Sequence, residues 1–321
     1  MSKINPAKIT VIAPARLHMG FIDLSGSLGR HFGSIGVALN EINTELTMQV
    51  ATTCQVTGQS AQRGLRCLQD LCKALNVADN LAINIKSAIP EHIGLGSGTQ
   101  MSLAIGMALT EIYGLDLSVR DIAQLTYRGA RSGIGIGVFE QGGLVVDGGR
   151  GKNTLTPPVI FQRNLPEDWR FILVFDERGQ GLHGKQEVEA FKCLPPFPAS
   201  EAQRLCYLLM MQALPAIAEN EINLFGEVIS QLQQSVGEHF SQAQGGVFTS
   251  HDVAETMAYL QEQGVTAIGQ TSWGPTGFCA LQGVERATNL LEQLKVRFQD
   301  NPKLSFACVS ARGCGGKLTV K

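Results

Sequence analysis

At 321 residues, with 44% hydrophobic and 17% charged side chains, the chain has a globular composition and length enough for two cores. A net charge of −2 and a pI near 6.3 give no basic field for nucleic acid or an anionic bilayer. The opening MSKINPAKIT has no apolar export segment, no window of about 18 apolar residues occurs, and the eight cysteines include no CxxC pair. The expectation is a cytoplasmic, free-thiol protein with no structural metal, no membrane span and no nucleic-acid partner.

Ile9 to Ala13 predicts a first strand ending at Pro14. Asp23, Arg30 and His31 follow among glycines and apolar residues, then Ile35 to Leu39 and Glu45 to Val50 predict two further strands. Leu65, Leu68, Leu71, Cys72 and Leu75 recur at helical spacing over residues 64–76. Asn80 to Ala88 alternates as a half-buried strand does. It runs into IPEHIGLGSGTQMSL, residues 89–103, beyond which Met101, Ala104, Ile105, Ala108, Leu109 and Ile112 mark a helix.

Between that strand and helix stand Gly94, Gly96, Ser97, Gly98 and Thr99. A glycine-rich turn feeding a helix N-terminus presents unpaired N–H groups and the positive end of the helix dipole, and both favour phosphate. A tight turn that binds nothing has the same pattern. No Lys follows the last glycine, so this is not a Walker A loop, and the spacing is not GxGxxG.

Ser118 with Asp121 reads as a capping-box variant opening a helix to about Ala130. In residues 131–149, five glycines before Leu144 predict no regular element, and Leu144 to Val146 then reads as a buried strand. Pro157, Pro158 and Pro166 mark a boundary, giving domains 1–165 and 166–321. Beyond it come a strand at 170–175, helices at 200–219 (interrupted by Pro215), 221–236 and 252–263, strands at 265–268 and 277–281, a helix at 284–298 and a strand at 304–309. That order predicts a split βαβ, ferredoxin-like unit.

Three segments together carry a resemblance. APARLHMG at 13–20, IPEHIGLGSGTQ at 89–100 and GQTSWGPTGFCAL at 269–281 resemble, in order, the three motifs of the GHMP small-molecule kinase superfamily. The implied fold is α+β: a ribosomal-S5-domain-2-like N-terminal domain and a ferredoxin-like C-terminal domain. RLHMGFIDLSGSLGRHFGSIGVAL, RSGIGIGVFEQGG, FDERGQGLHG and TSWGPT are similar to one branch that is not a kinase, the β-ribofuranosylaminobenzene 5′-phosphate synthase family. That branch joins phosphoribosyl pyrophosphate to 4-aminobenzoate, or 4-hydroxybenzoate in some members, releasing CO2 and pyrophosphate in methanopterin biosynthesis. The resemblance further implies Mg2+ and a homodimer. Laying FEQGG on the kinase pattern puts Glu140 at the position of the kinases' base and Gly129 near that of their Mg2+-binding Glu. One carboxylate is thus changed and the other lost, which suits a synthase better than a kinase.

On this resemblance, Gly94, Gly96, Ser97, Gly98 and Thr99 hold the diphosphate, with Ser97 an oxygen ligand for Mg2+ or merely a helix cap. Arg16 and Arg30 suit a phosphate or carboxylate; the alternatives are a structural ion pair and a solvated loop. Asp23 and Glu140, with Arg30, are the catalytic candidates, although Asp23 also fits a turn cap. His18 is placed to orient an aryl carboxylate or to sit satisfied in the core. Trp273 and Gly274 wall the aromatic pocket or simply pack and turn. Arg312 reaches a phosphate or belongs to an exposed basic tail, and His183 is a weaker case of that kind. Two other classes remain open: an ATP-dependent kinase of a small alcohol, and a non-catalytic sensor of a phosphorylated ligand.

Overall fold

Apolar alternation does not stop at Pro14. The computed structural model describes residues 7–179, 181 and 184–321, of which 184–188 by backbone only, and in it β1 (Ile9–Asp23) runs fifteen residues. Pro14 is accommodated because β1 and its antiparallel partner β2 (Arg30–Val50) shift register between Pro14 and Arg16, and again between His18 and Gly20. The two strands expected at 35–39 and 45–50 are therefore parts of one. With β3 (Gln55–Gly58) and β4 (Leu81–Ser87) they build a sheet extended by β5 (Leu144–Asp147), β6 (Arg150–Gly151) and β7 (Val159–Arg163). One face carries α1 (Ala61–Leu75) and α2 (Ser97–Tyr113), whose Leu68, Leu71, Met101 and Leu109 pack on Val11, Leu46 and Ile83.

The Ser118–Asp121 capping box is present, but α3 (Val119–Leu125) stops short of Ala130, since Tyr127 and Gly129 both take positive φ. The glycine run that predicted no element holds α4 (Ile134–Glu140). Its glycines meet close packing instead: a Cβ on Gly137 would lie 2.7 Å from Val145 Cγ1 and 2.8 Å from Val159 Cγ2.

The second sheet is antiparallel in the order β11 (Leu304–Ser310), β8 (Trp169–Asp176), β10 (Gly277–Gln282), β9 (Ala267–Gln270), the ferredoxin-like order. After α5 (Gly184–Cys193), α6 (Ala199–Leu208) passes through a π turn at 209–213 into α7 (Leu214–Glu219). The helix expected over 200–219 is thereby broken just before Pro215, which has no N–H to give the preceding turn. The long α8 (Ile222–Gln244) packs Phe225, Ile229 and Leu232 into one core with Leu17 and Met19 of β1 and Phe171 and Leu173 of β8. Helices α9 (His251–Glu262) and α10 (Val284–Arg297) cover the opposite face of the second sheet. The tail continues past β11 into β12 (Lys317–Val320), which pairs with β1, so the last strand belongs to the first sheet. Strand β1 contributes to both cores, Val11 to the one under α1 and α2, and Leu17 and Met19, near its second register shift, to the one under α8.

Candidate active site

The loop before α2 is fixed from both sides. Arg16 Nη1 and Thr271 Oγ1 (2.9 Å) both donate to the Gly94 carbonyl, while Thr271 Oγ1 accepts from the His18 amide at 3.0 Å. The Arg16 amide donates to the Leu95 carbonyl at 3.1 Å. Gly94 and Gly96 lie at φ +80° and +83°, and a Cβ on Gly96 would stand 2.9 Å from Arg16 Cγ. The first backbone bond of α2 runs from Gln100 N to Gly96 O at 3.1 Å, so the amides of Ser97, Gly98 and Thr99 have no carbonyl of their own helix to meet.

These amides open into a cavity of 320 Å3. Arg16, Gly94, Gly96, Ser97, Gly98, Thr99, Trp273 and Gly274, all proposed from sequence, line it together. Arg63 of α1, Arg128 after α3 and His92 join them, and sequence reasoning missed all three. Arg63 and Arg128 lie outside every motif, and only the packing of α1 and α3 on α2 brings them in. Arg63 donates to Ser97 Oγ at 3.0 Å and pairs with Glu91 at 3.4 Å. Arg128 Nε is buried with no partner among the described residues; burial chiefly pulls this guanidinium below its ordinary pKa, Cys67 opposes and Arg63 adds to the fall. Three guanidiniums and a helix N-terminus thus face one space, and among the described residues its lining includes no carboxylate. That donor set does not suit a Mg2+ held by protein atoms, and Ser97, expected as its ligand, already accepts from Arg63. Among the described residues no three His, Cys, Asp or Glu gather as a metal cluster.

The remaining candidates go elsewhere. Asp23 and Arg30 line a separate, largely apolar pocket of 520 Å3 with Leu28, Phe32, Ile160 and Met210. There Asp23 Oδ1 accepts from Ser25 N (2.8 Å), Ser25 Oγ (2.6 Å) and Gly26 N (3.2 Å), which is the turn cap. Arg30 donates to the carbonyls of Gly148 and Gly149, each at 2.9 Å. Glu140 lines neither cavity: it takes a two-bond fork from Arg120 (3.0 and 2.9 Å), and Arg120 also donates to Pro157 O at 3.2 Å. The structure thus places Glu140, a catalytic candidate from the sequence, away from the cationic cavity, with its carboxylate tying α3 to α4. Arg312 lies outside the cationic cavity as well; it folds back on Cys314 O (3.0 Å) and Gly315 O (3.2 Å), shaping the return to β12. His183 lies outside the described residues. His18 borders a narrow cleft beside Trp273, which lines both that cleft and the cationic cavity.

Fold and cavity together define a GHMP-type small-molecule enzyme. The GHMP kinases N terminal domain family matches residues 61–141, and L. major mevalonate kinase in complex with R-mevalonate superposes with a TM-score of 0.69 at 16% identity, covering 98% of this chain and 100% of that one. That likeness concerns the fold alone. Beta-ribofuranosylphenol 5′-phosphate synthase of Methanocaldococcus jannaschii is 36% identical, covering 68% of this chain and 75% of its own. The Archaeoglobus fulgidus protein of the same name is 33% identical over 85% and 89%. The chain belongs to the beta-ribofuranosylphenol 5′-phosphate synthase family, the branch its motifs resemble, and is an enzyme of that synthase type.

Proposed function

We propose that the chain condenses phosphoribosyl pyrophosphate with a 4-substituted benzoate, 4-hydroxybenzoate by preference, to give a β-ribofuranosyl arene 5′-phosphate, CO2 and pyrophosphate for methanopterin assembly. The observation that carries this reading is the convergence of Arg16, Arg63, Arg128 and the α2 amides on one cavity. Such a constellation favours a group whose negative charge grows as it leaves. Departure of pyrophosphate from the anomeric carbon creates that charge, and donors already in place stabilise it without reorganisation. The bond from the ring carbon bearing the carboxylate forms to the anomeric carbon. Loss of CO2 then returns an electron pair to the ring. The phenol in the relatives' names supports the hydroxy acid as acceptor. On this reading Mg2+ would enter with the diphosphate rather than on Ser97 and would offset part of its charge.

Incubation with phosphoribosyl pyrophosphate, Mg2+ and carboxyl-labelled 4-hydroxybenzoate tests the proposal. Labelled CO2 and pyrophosphate are expected in equal amounts without ATP. Release of ADP from ATP with a small alcohol, and no CO2, overturns it.

A further inference from the structure

His18 sits buried on β1 at the second register shift, its amide bonded to Thr271 just past β9 and its side chain lining the narrow cleft that shares Trp273 with the cationic cavity. Its Nδ1 accepts from the Gly20 amide at 3.2 Å, which leaves the proton on Nε2. Burial first, and the charge of Arg16 second, hold this imidazole well below its ordinary pKa, so it stays neutral and Nε2 remains a donor. That buried donor has no partner among the described residues. The glutamines in the cleft are bonded to backbone groups: Gln233 donates to Met19 O (2.6 Å) and accepts from Gln270 N (2.8 Å), and Gln244 donates to Val247 O (2.9 Å). Phe21, Phe240 and Trp273 supply aromatic walls, the last two with centroids 4.4 Å apart. The interior has about 20 Å3 of room, enough for one oxygen-sized group.

We infer that His18 Nε2–H is the donor that receives the para oxygen of the aromatic acceptor, and so selects a hydroxyl over an amino group. The inference rests on the synthase reading. The ring carbon bearing the carboxylate must face the anomeric carbon beside the cationic cavity, so the para substituent points away from it, toward the cleft that Trp273 shares. The acceptor enters as its phenolate, its proton already lost to water. As the ring carbon bonds to the anomeric carbon, the C–O electron pair leaves with pyrophosphate and the para oxygen becomes a carbonyl. Breaking the bond to CO2 returns its pair to the ring and restores the phenolate, which is protonated in water after release. A neutral N–H donor matches that oxygen in each state. An amino group presents N–H to N–H, leaving both without an acceptor.

The test is the ratio of kcat/KM for 4-hydroxybenzoate to that for 4-aminobenzoate in wild type, His18→Phe and His18→Gln. His18→Phe should lower the ratio about tenfold to a hundredfold with the KM for phosphoribosyl pyrophosphate unmoved, and His18→Gln, which keeps an N–H, should lose less. An unchanged ratio, or a phosphoribosyl pyrophosphate KM rising in step, overturns it. Should the variants fail to fold, 15N spectra of the wild-type imidazole decide: 4-hydroxybenzoate added with pyrophosphate should shift Nε2–H, and no shift refutes the assignment. A wild type that binds the acid with this shift yet releases no CO2 leaves His18 standing and removes the synthase reading instead.

Discussion

Two cavities flank the β1–β2 pair, and both contain an arginine that the sequence singles out. Around Arg16 the chain has gathered two more guanidiniums and three helix-terminal amides, with no carboxylate in the lining among the described residues. Around Arg30 it has gathered leucine, isoleucine, methionine and phenylalanine, with Asp23 committed to its own turn and the arginine to two backbone carbonyls. An arginine among glycines therefore reports nothing by itself. What separates an anion site from a braced hairpin is whether the donors remain aimed into open space once local hydrogen bonds are made.

The largest effect should come from removing one cation of the first cavity. Arg128→Met should lower kcat/KM for phosphoribosyl pyrophosphate by about a hundredfold to a thousandfold, the range for one preorganised donor at a developing charge. Arg30→Met should cost thermal stability, through two lost bonds to Gly148 and Gly149, more than it costs that kinetic parameter. Equal kinetic losses in both variants would break the contrast. Next in size is Gly96→Ala. Its φ of +83° and the approach of Arg16 Cγ predict about 1–3 kcal/mol of strain, read as a fall in Tm together with weaker pyrophosphate binding. Binding and Tm both at the wild-type level would mean the loop has slack that the packing denies.

The sequence disclosed the first cavity's backbone and little of its charge. Gly94 to Thr99 was legible as a glycine turn before an apolar-periodic run, a pattern a non-binding turn shares, and the motif resemblance made it a phosphate candidate along with Arg16, Trp273 and Gly274. Arg63 and Arg128 were not legible, since helix packing and not chain order brings them within reach of α2. The long strands were divided at Pro14 and at residues 40–44 because local rules see a breaker and not the register shift that tolerates it. Helix α4 was missed for a similar reason: its glycines answer to Val145 and Val159 across the interface, a demand invisible to propensity. The pairing of Glu140 is likewise hidden in the sequence, because its partner guanidinium, Arg120, stands on another helix.

That pair allows a smaller test. The Arg120–Glu140 side chains are 31% and 21% exposed and bond through a fork, so Glu140→Gln should cost about 1 kcal/mol of stability with kcat nearly unchanged. A hundredfold loss of kcat at unchanged Tm would return Glu140 to the chemistry.

The smallest effect concerns Asp147, buried where the apolar pocket meets α4. Burial chiefly raises its pKa, while Ser34, the Gly149 and Gly133 amides (each at 2.8 Å) and Ser132 hold it down in part. The folded pKa lies above the unfolded one. The contribution of this group to stability is therefore complete below the ordinary carboxylate value and declines as pH rises through the folded value. Asp147→Asn removes that slope, so the difference in unfolding free energy between wild type and variant should be larger at the acidic end and shrink toward neutrality. The variant should be the less stable throughout, because an amide cannot accept from Ser34 and both glycine amides with both of its atoms. A difference that grows with pH would show Asp147 held ionised by its donors. The apolar pocket would then tolerate a buried negative charge, and the electrostatic contrast between the two cavities would fail at its weaker side.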